Sequence, residues 1–185
     1  GYGALRSVFV DGAAANSLQS SFEGESAILG PLDRRLRFST NHDETSWDAP
    51  PPTLFGGQDA ARCAQAIVTF LPGTPLIYNG QEVGSTQVLN LFERIPIDWS
   101  THPEMRPWMT TLLRQRGQHP ALVHGDIEFH VQANVFRAER IHTDADGSVH
   151  RALLIAHVRN CNRTIDLSAW QDLGLVDIWY GSPLP

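Results

Sequence analysis

Cysteine is nearly absent: Cys63 and Cys161 are the only two in 185 residues. Two thiols cannot build a disulfide framework, and neither has His or Cys neighbours at zinc-site spacing. Both are expected to be unpaired and buried or half-buried, since free cysteine behaves as a small apolar residue. Nor does any apolar run approach the roughly 18 to 20 residues of a membrane span. There are no Lys/Arg clusters, and 14 basic residues face 20 acidic ones for a net charge of −6, which argues against a nucleic-acid or anionic-membrane partner. Internal repeats and low-complexity tracts are missing too. The chain opens on Gly1 without a signal-peptide pattern, so its start names no compartment. What remains, 42% hydrophobic and 18% charged residues, is the composition of an ordinary globular protein of one domain, or of an incomplete domain with a small companion.

Periodicity divides the chain. Leu5, Val8 and Phe9, then Leu18 and Phe22 after Asp11-Gly12, predict two short helices and a loop within the first 35 residues. Leu36 to Thr40 alternates like a short strand and runs into the polar cluster Asn41-His42-Asp43-Glu44-Thr45. Pro50-Pro51-Pro52 and Gly56-Gly57 lead into a helix on whose apolar face lie Ala60, Cys63, Ala64, Ile67 and Leu71, with Arg62, Gln65 and Thr69 expected opposite. Pro72-Gly73 ends it, and Pro75 to Asn79 reads as a buried strand leading to Gly80-Gln81-Glu82. Thr101 and Glu104 stand at capping-box spacing before the stripe Met105, Trp108, Met109, Leu112, Leu113, although Pro107 could delay the helix start; Gly117 and Pro120 should stop it.

From about Asp126 the period becomes that of strands: 127–131, 134–138, 152–158, 164–167 and 176–180, separated by turns at Asp144-Ala145-Asp146-Gly147 and Asn160-Cys161-Asn162. A boundary near residue 122, with a small antiparallel β-domain after it, is expected. There Trp170 and Trp179 fit core anchors. Asp144 and Asp146 fit a hairpin turn, because the later ligands of a calcium loop are missing.

Both polar clusters stand at the C-terminal ends of strands in a strand–helix–strand unit, where parallel α/β scaffolds collect chemistry. Continued alternation would put His42 and Glu44 on one side and Asn41 and Asp43 on the other, so Asp43 and Glu44 would not face each other as a carboxylate pair. Taken alone, the cluster reads first as polar residues capping a strand and holding a loop.

Two stretches carry a resemblance that changes this weighting. Leu36-Arg-Phe-Ser-Thr-Asn-His-Asp-Glu-Thr-Ser-Trp47 resembles the seventh-strand motif of the α-amylase family, glycoside hydrolase family 13, and Gly73-Thr-Pro-Leu-Ile-Tyr-Asn-Gly-Gln-Glu-Val-Gly84 resembles its eighth-strand motif. Their order and the helix between them also match. Arg94 to Trp99 and Leu112 to Leu122 look like the following loop and last barrel helix, and the remainder resembles the antiparallel domain C, so the likeness covers nearly everything from residue 36. It implies the C-terminal part of a (β/α)8 barrel at 1–122, followed by an antiparallel β-sandwich domain C at 123–185. It implies a retaining mechanism on α-glucans, with Asp43 as the carboxylate stabilising the oxocarbenium-like transition state and His42 donating to a ring hydroxyl. Asn41, Trp47 and Tyr78 would shape the sugar subsite, and Glu82 would brace its loop.

The departures matter as much. The family's nucleophile lies in a Gly-Phe-Arg-x-Asp motif on the fourth strand and its acid/base Glu on the fifth, and neither is found in this chain; Phe136-Arg137-Ala138-Glu139 falls in the β-domain. The chain alone is therefore expected to be inactive. The calcium-binding insertion is missing as well, so the resemblance implies no metal or cofactor held by this chain and calcium only for a full-length enzyme. Two parallel strands leave open edges, to be covered by the missing N-terminal barrel segment, by a second copy, or by rearrangement of residues 1–35. Cleavage of α-1,4 links, cleavage of α-1,6 links and glucosyl transfer all stay open. A different class is a noncatalytic carbohydrate-binding module, with Trp47, Trp99 and Tyr78 as stacking surfaces.

Overall fold

The computed structural model describes residues 1–30, 33–159, 161 and 164–183; Asn160 and Asn162 of the expected turn lie outside them. The two expected N-terminal helices are α1 (Tyr2–Phe9) and α2 (Asn16–Ser26), which bury Leu5, Val8 and Leu18. Strand β1 (Leu36–Arg37) is followed by the short helices α3 (His42–Trp47) and α4 (Pro51–Leu54), the long helix α5 (Gln58–Phe70) and strand β2 (Thr74–Pro75). The two strands pair in parallel, Leu36 opposite Thr74 and Arg37 opposite Pro75, as the strand–helix–strand reading requires. Among the described residues no further strand joins this pair.

Both strands are shorter than expected. Pro75 has no amide hydrogen to extend a ladder, and just beyond Arg37 the Ser39 hydroxyl turns to Gln65 of α5. Burial along β1 also inverts the expected sense, with Leu36 53% exposed and Arg37 inside. The Arg37 guanidinium lies over the Phe22 ring, donates to Glu25 at 2.5 Å and to the Pro72 carbonyl at 2.9 Å, and so ties α2 to the turn before β2. That turn requires Gly73: φ is +134°, and a Cβ there would lie 2.5 Å from the Arg35 carbonyl oxygen.

Helix α5 follows its predicted apolar period, but Gln65 and Thr69 are buried instead of lying on an outward polar face. Their polar atoms bond to each other and to residues from both strand ends. Buried amides persist where their hydrogen bonds are satisfied. Cys63, on the same helix, is half-buried as expected, and burial pushes its thiol up to about 12, so it stays protonated and unreactive. Cys161 is exposed, contrary to expectation.

Helix α6 (Met105–Gln118) and helix α7 (Pro120–His124) complete the helical part. The capping box is not formed: Thr101 donates to the carbonyls of Val83 and Asp98, and Pro107 is accommodated in the first turn, where amide hydrogens have no intrahelical acceptor. Gly117 lies within α6, and Pro120 opens α7 instead of merely stopping its predecessor.

The β-rich part is one antiparallel sheet, β3 (Asp126–Phe129), β4 (Val135–Thr143) and β5 (Val149–His157), in that order. A second sheet to make a sandwich is not present among the described residues. The 164–167 stretch is not a strand, and Val176 only bridges Pro183. The Asp144–Gly147 hairpin turn is formed as expected. Trp170 is buried; Trp179 is half-buried and stacks flat on Trp108 of α6, with centroids 5.8 Å apart. A single apolar cluster runs from Leu5 and Leu18 through Ile67 and Leu71 to Phe136, Ala138 and Ala156, so helices and sheet share one core. Arg140 pins this junction from inside, donating to the carbonyls of Gly125 (two bonds) and Phe70. Burial and then Arg116 push its pKa down to about 10.

Where α6 and α7 meet the hairpin, four histidine rings follow one another: His124 beside His142, His142 beside His150, His150 beside His119. Asp144 holds His142 and His150 at 3.1 and 2.7 Å. Burial, and then His150, keep the His119 pKa below its usual 6.5. The unfolded chain therefore binds a proton near pH 6.5 that the folded one refuses. Stability from this group is full above that pH and is lost as the pH falls through it, until the folded value is reached. The thermal midpoint should be lower at mildly acidic than at neutral pH, and the difference should shrink in His119→Gln.

Candidate active site at the end of strand β1

The polar cluster turns into a helix instead of continuing the strand. Asn41, in extended conformation, caps α3: its Oδ1 accepts from the amides of Asp43 and Glu44, both at 2.9 Å. An Asn cap with two acidic residues in the first turn is a favourable helix start, because carboxylates complement the positive end of the helix. The strand-face alternation expected for these residues is therefore replaced by a helical spacing of about 100° per residue, and Asp43 and Glu44 still point apart. Buried Thr45 anchors the helix from below. Ser46 Oγ bonds the carbonyls of His42 and Leu89, fastening α3 to the loop after β2.

His42 and Asp43 stand open, their side chains 65% and 55% exposed, with His42 Nε2 3.6 Å from Asp43 Oδ2. Trp47, the last residue of α3, is 72% exposed. Tyr78 and Asn41 are half-buried. Burial, then repulsion by Asp48 and Asp43, raises the Glu44 carboxyl. On the far side of α3, Asp48 accepts from Tyr2 Oη at 2.8 Å and Arg6 Nε at 3.2 Å, so α1 buttresses the site. Burial and that hydrogen bond to Asp48 push the Tyr2 phenol up.

The second polar end is held to the first by residues that sequence reasoning assigned elsewhere or passed over. Gln81 Nε2 donates to Ser39 Oγ at 2.9 Å and to Gln65 Oε1 at 3.2 Å, while its Oε1 accepts from the Tyr78 amide at 2.7 Å. Ser39 Oγ donates to Gln65 Oε1 at 2.7 Å, and Gln65 Nε2 donates to Thr69 at 3.1 Å. One buried network thus joins β1's end, α5 and the loop carrying Tyr78. The i, i+4 spacing of Gln65 and Thr69 within the apolar C-terminal half of α5 was its only local signal. Glu82 Oε2 accepts from the Gly80 amide at 2.9 Å, the loop-bracing part expected of it. Gly80 itself has a φ of +95°, which glycine adopts at little cost.

Chemically, Asp43 is an accessible carboxylate beside an imidazole: it can accept hydrogen bonds from hydroxyls and stabilise positive charge. Retaining glycoside cleavage needs two carboxyl groups flanking the scissile bond, and Asp43 and Glu44, diverging from one helical turn, do not supply that arrangement.

No family model matches the chain. It is 30% identical over 115 residues to alpha-amylase 2 of Dictyoglomus thermophilum, covering 55% of this chain and 19% of that protein. It is 31% identical over 123 residues to the alpha-amylase MalA of Haloarcula japonica, covering 65% of this chain and 17% of that protein. The chain thus spans less than a fifth of these relatives' length. In structure it is similar to the cyclic α-maltosyl-(1→6)-maltose hydrolase of Arthrobacter globiformis in complex with cyclic α-maltosyl-(1→6)-maltose. That match has a TM-score of 0.67 and 23% identity, over 84% of this chain and 35% of the other. With both strand-end motifs in place on a parallel pair, the chain is similar in sequence to alpha-amylases and in fold to an α-glucan-cleaving hydrolase.

Proposed function

We propose that this chain forms the sugar-holding end of a retaining glycosidase site acting on α-glucans. Asp43 stabilises the positively charged ring in the transition state, and His42 donates to a ring hydroxyl. Trp47 and Tyr78 shape the subsite, and Asn41 contributes by holding the turn that presents the pair. Hydrogen bonds to charge that develops only in the transition state accelerate the step. Residues 1–122 act as the C-terminal part of a (β/α)8 barrel and 123–185 as domain C, while the nucleophile and the acid/base come from polypeptide outside these residues. A barrel segment preceding this one, or a second copy, then covers the free edge of the β1–β2 pair. The observation that carries the reading is the open His42–Asp43 pair on the Asn41-capped turn after β1, locked to the next strand end through Gln81.

A second reading, noncatalytic glucan binding, draws on the exposure of Trp47 and Trp99. One experiment separates the two: maltooligosaccharide hydrolysis and retention on immobilised starch, measured for this chain and for a version extended upstream through both missing carboxylates. Hydrolysis by the extended protein only is the expected result. Hydrolysis by the 185 residues alone would overturn the assignment. Starch retention by the short chain, lost in Trp47→Ala but kept in Asp43→Ala, would favour the binding module.

A further inference from the structure

On the sheet, far in sequence from the strand-end cluster, Glu128, His130 and Glu139 each place one donor atom within 4.8 Å of the others. The register explains why. Glu128 of β3 lies directly opposite Glu139 of β4, and His130 follows Glu128 by two residues, hence on the same face of the sheet. Two carboxylates directly opposite across a ladder repel each other, and the described residues neutralise only one of them. Glu139 is buried, with Oε1 held by Arg151 at 2.7 Å and Oε2 by Trp170 Nε1 at 3.3 Å; Glu128 makes no ion pair among the described residues. The His130 Nε2 atom is buried without a hydrogen-bond partner. Its ring is set edge-on to Trp170, with centroids 5.3 Å apart, and its carbonyl accepts from Arg137 Nε.

From this convergence we propose that Glu128, His130 and Glu139 form a binding site for a divalent transition cation of the Zn2+ class, which clamps β3 to β4. One imidazole and two carboxylates form a mixed nitrogen and oxygen set that suits such a cation better than an all-oxygen site would suit it. Metal–donor distances near 2.1 Å put tetrahedral donors about 3.5 Å apart, a contraction that the exposed Glu128 side chain can supply by rotation. Arg151 and Trp170 use one lone-pair direction on each Glu139 oxygen and leave others free. They would then orient this ligand from behind, as outer partners of metal ligands do. The cation would relieve the carboxylate repulsion and satisfy the orphaned imidazole nitrogen together.

The test is calorimetric titration of Zn2+ into the metal-free chain near neutral pH, paired with unfolding curves with and without Zn2+. A single saturable site and a metal-dependent rise of the unfolding midpoint are expected. Affinity should fall by about tenfold or more in His130→Gln and in Glu128→Gln, and the metal-dependent rise should shrink with it. Glu128 is exposed, so Glu128→Gln keeps the fold, and its metal-free midpoint should equal or exceed the parent's because the carboxylate repulsion is gone; the loss of the metal-dependent rise then reads binding. His150→Gln should bind as the parent does. No saturable binding below roughly 0.1 mM, parental affinity in Glu128→Gln, or loss in His150→Gln would each overturn the assignment, the last by moving the metal to Asp144 and its two histidines.

Discussion

Asp43→Asn, made in a protein that carries the complete barrel, should lower kcat by on the order of 10²- to 10³-fold and leave the unfolding midpoint nearly unchanged. The two halves of this expectation have separate causes. The side chain is more than half exposed, and its one close polar side-chain partner among the described residues is His42 at 3.6 Å, so surface electrostatics of this kind contribute little to folding. The Asn41 cap bonds the Asp43 amide, not its carboxylate, and survives the change. On the proposed reading, what disappears is a full negative charge facing the developing oxocarbenium ion, and a neutral amide of the same shape cannot replace it. Steady-state kinetics on a maltooligosaccharide, with circular dichroism as a control, would decide it. Near-parental turnover would remove Asp43 from the chemistry.

Gln65→Leu should be the opposite kind of variant, destabilising the chain by about 2 to 4 kcal/mol although the side chains are close in size. Gln65 is 1% exposed and accepts from Ser39 and Gln81 while donating to Thr69. Leucine would leave more than one buried polar group without its partner, each costing about 1 to 3 kcal/mol. The denaturation midpoint in urea reads the loss. Because Gln81 also holds the Tyr78 amide, substrate affinity of a complete enzyme should weaken alongside stability. A change of less than about 0.5 kcal/mol would mean that the network is not what joins the two strand ends.

These two residues show what could be read locally. Asp43 was conspicuous because a histidine and carboxylates stood together at the end of an alternating run, and its exposure follows from polar side chains in a strand-end turn. Gln65 was misplaced for a physical reason. Helical periodicity assigns a face by contrast with apolar neighbours, but the environment opposite the apolar stripe is set by what packs there, here Ser39 and Gln81, which are 26 and 16 residues away. The same cause inverted β1: Arg37 lies inside because Glu25, Phe22 and the Pro72 carbonyl surround it.

By itself, the sequence determined the elements whose signals are local: two N-terminal helices, the apolar period of α5 between Pro-rich and Pro-Gly breaks, the Asp144–Gly147 hairpin, and two polar motifs at strand ends. Backbone sterics and side-chain period act over a few residues, so they are legible there. The tertiary structure alone decided where β1 stopped and α3 began, which polar side chains were buried, that one three-stranded sheet shares its core with the helices, and that Glu128 faces Glu139. Each of these depends on groups brought together across the chain, whose hydrogen bonds and desolvation outweigh local propensity once water is excluded.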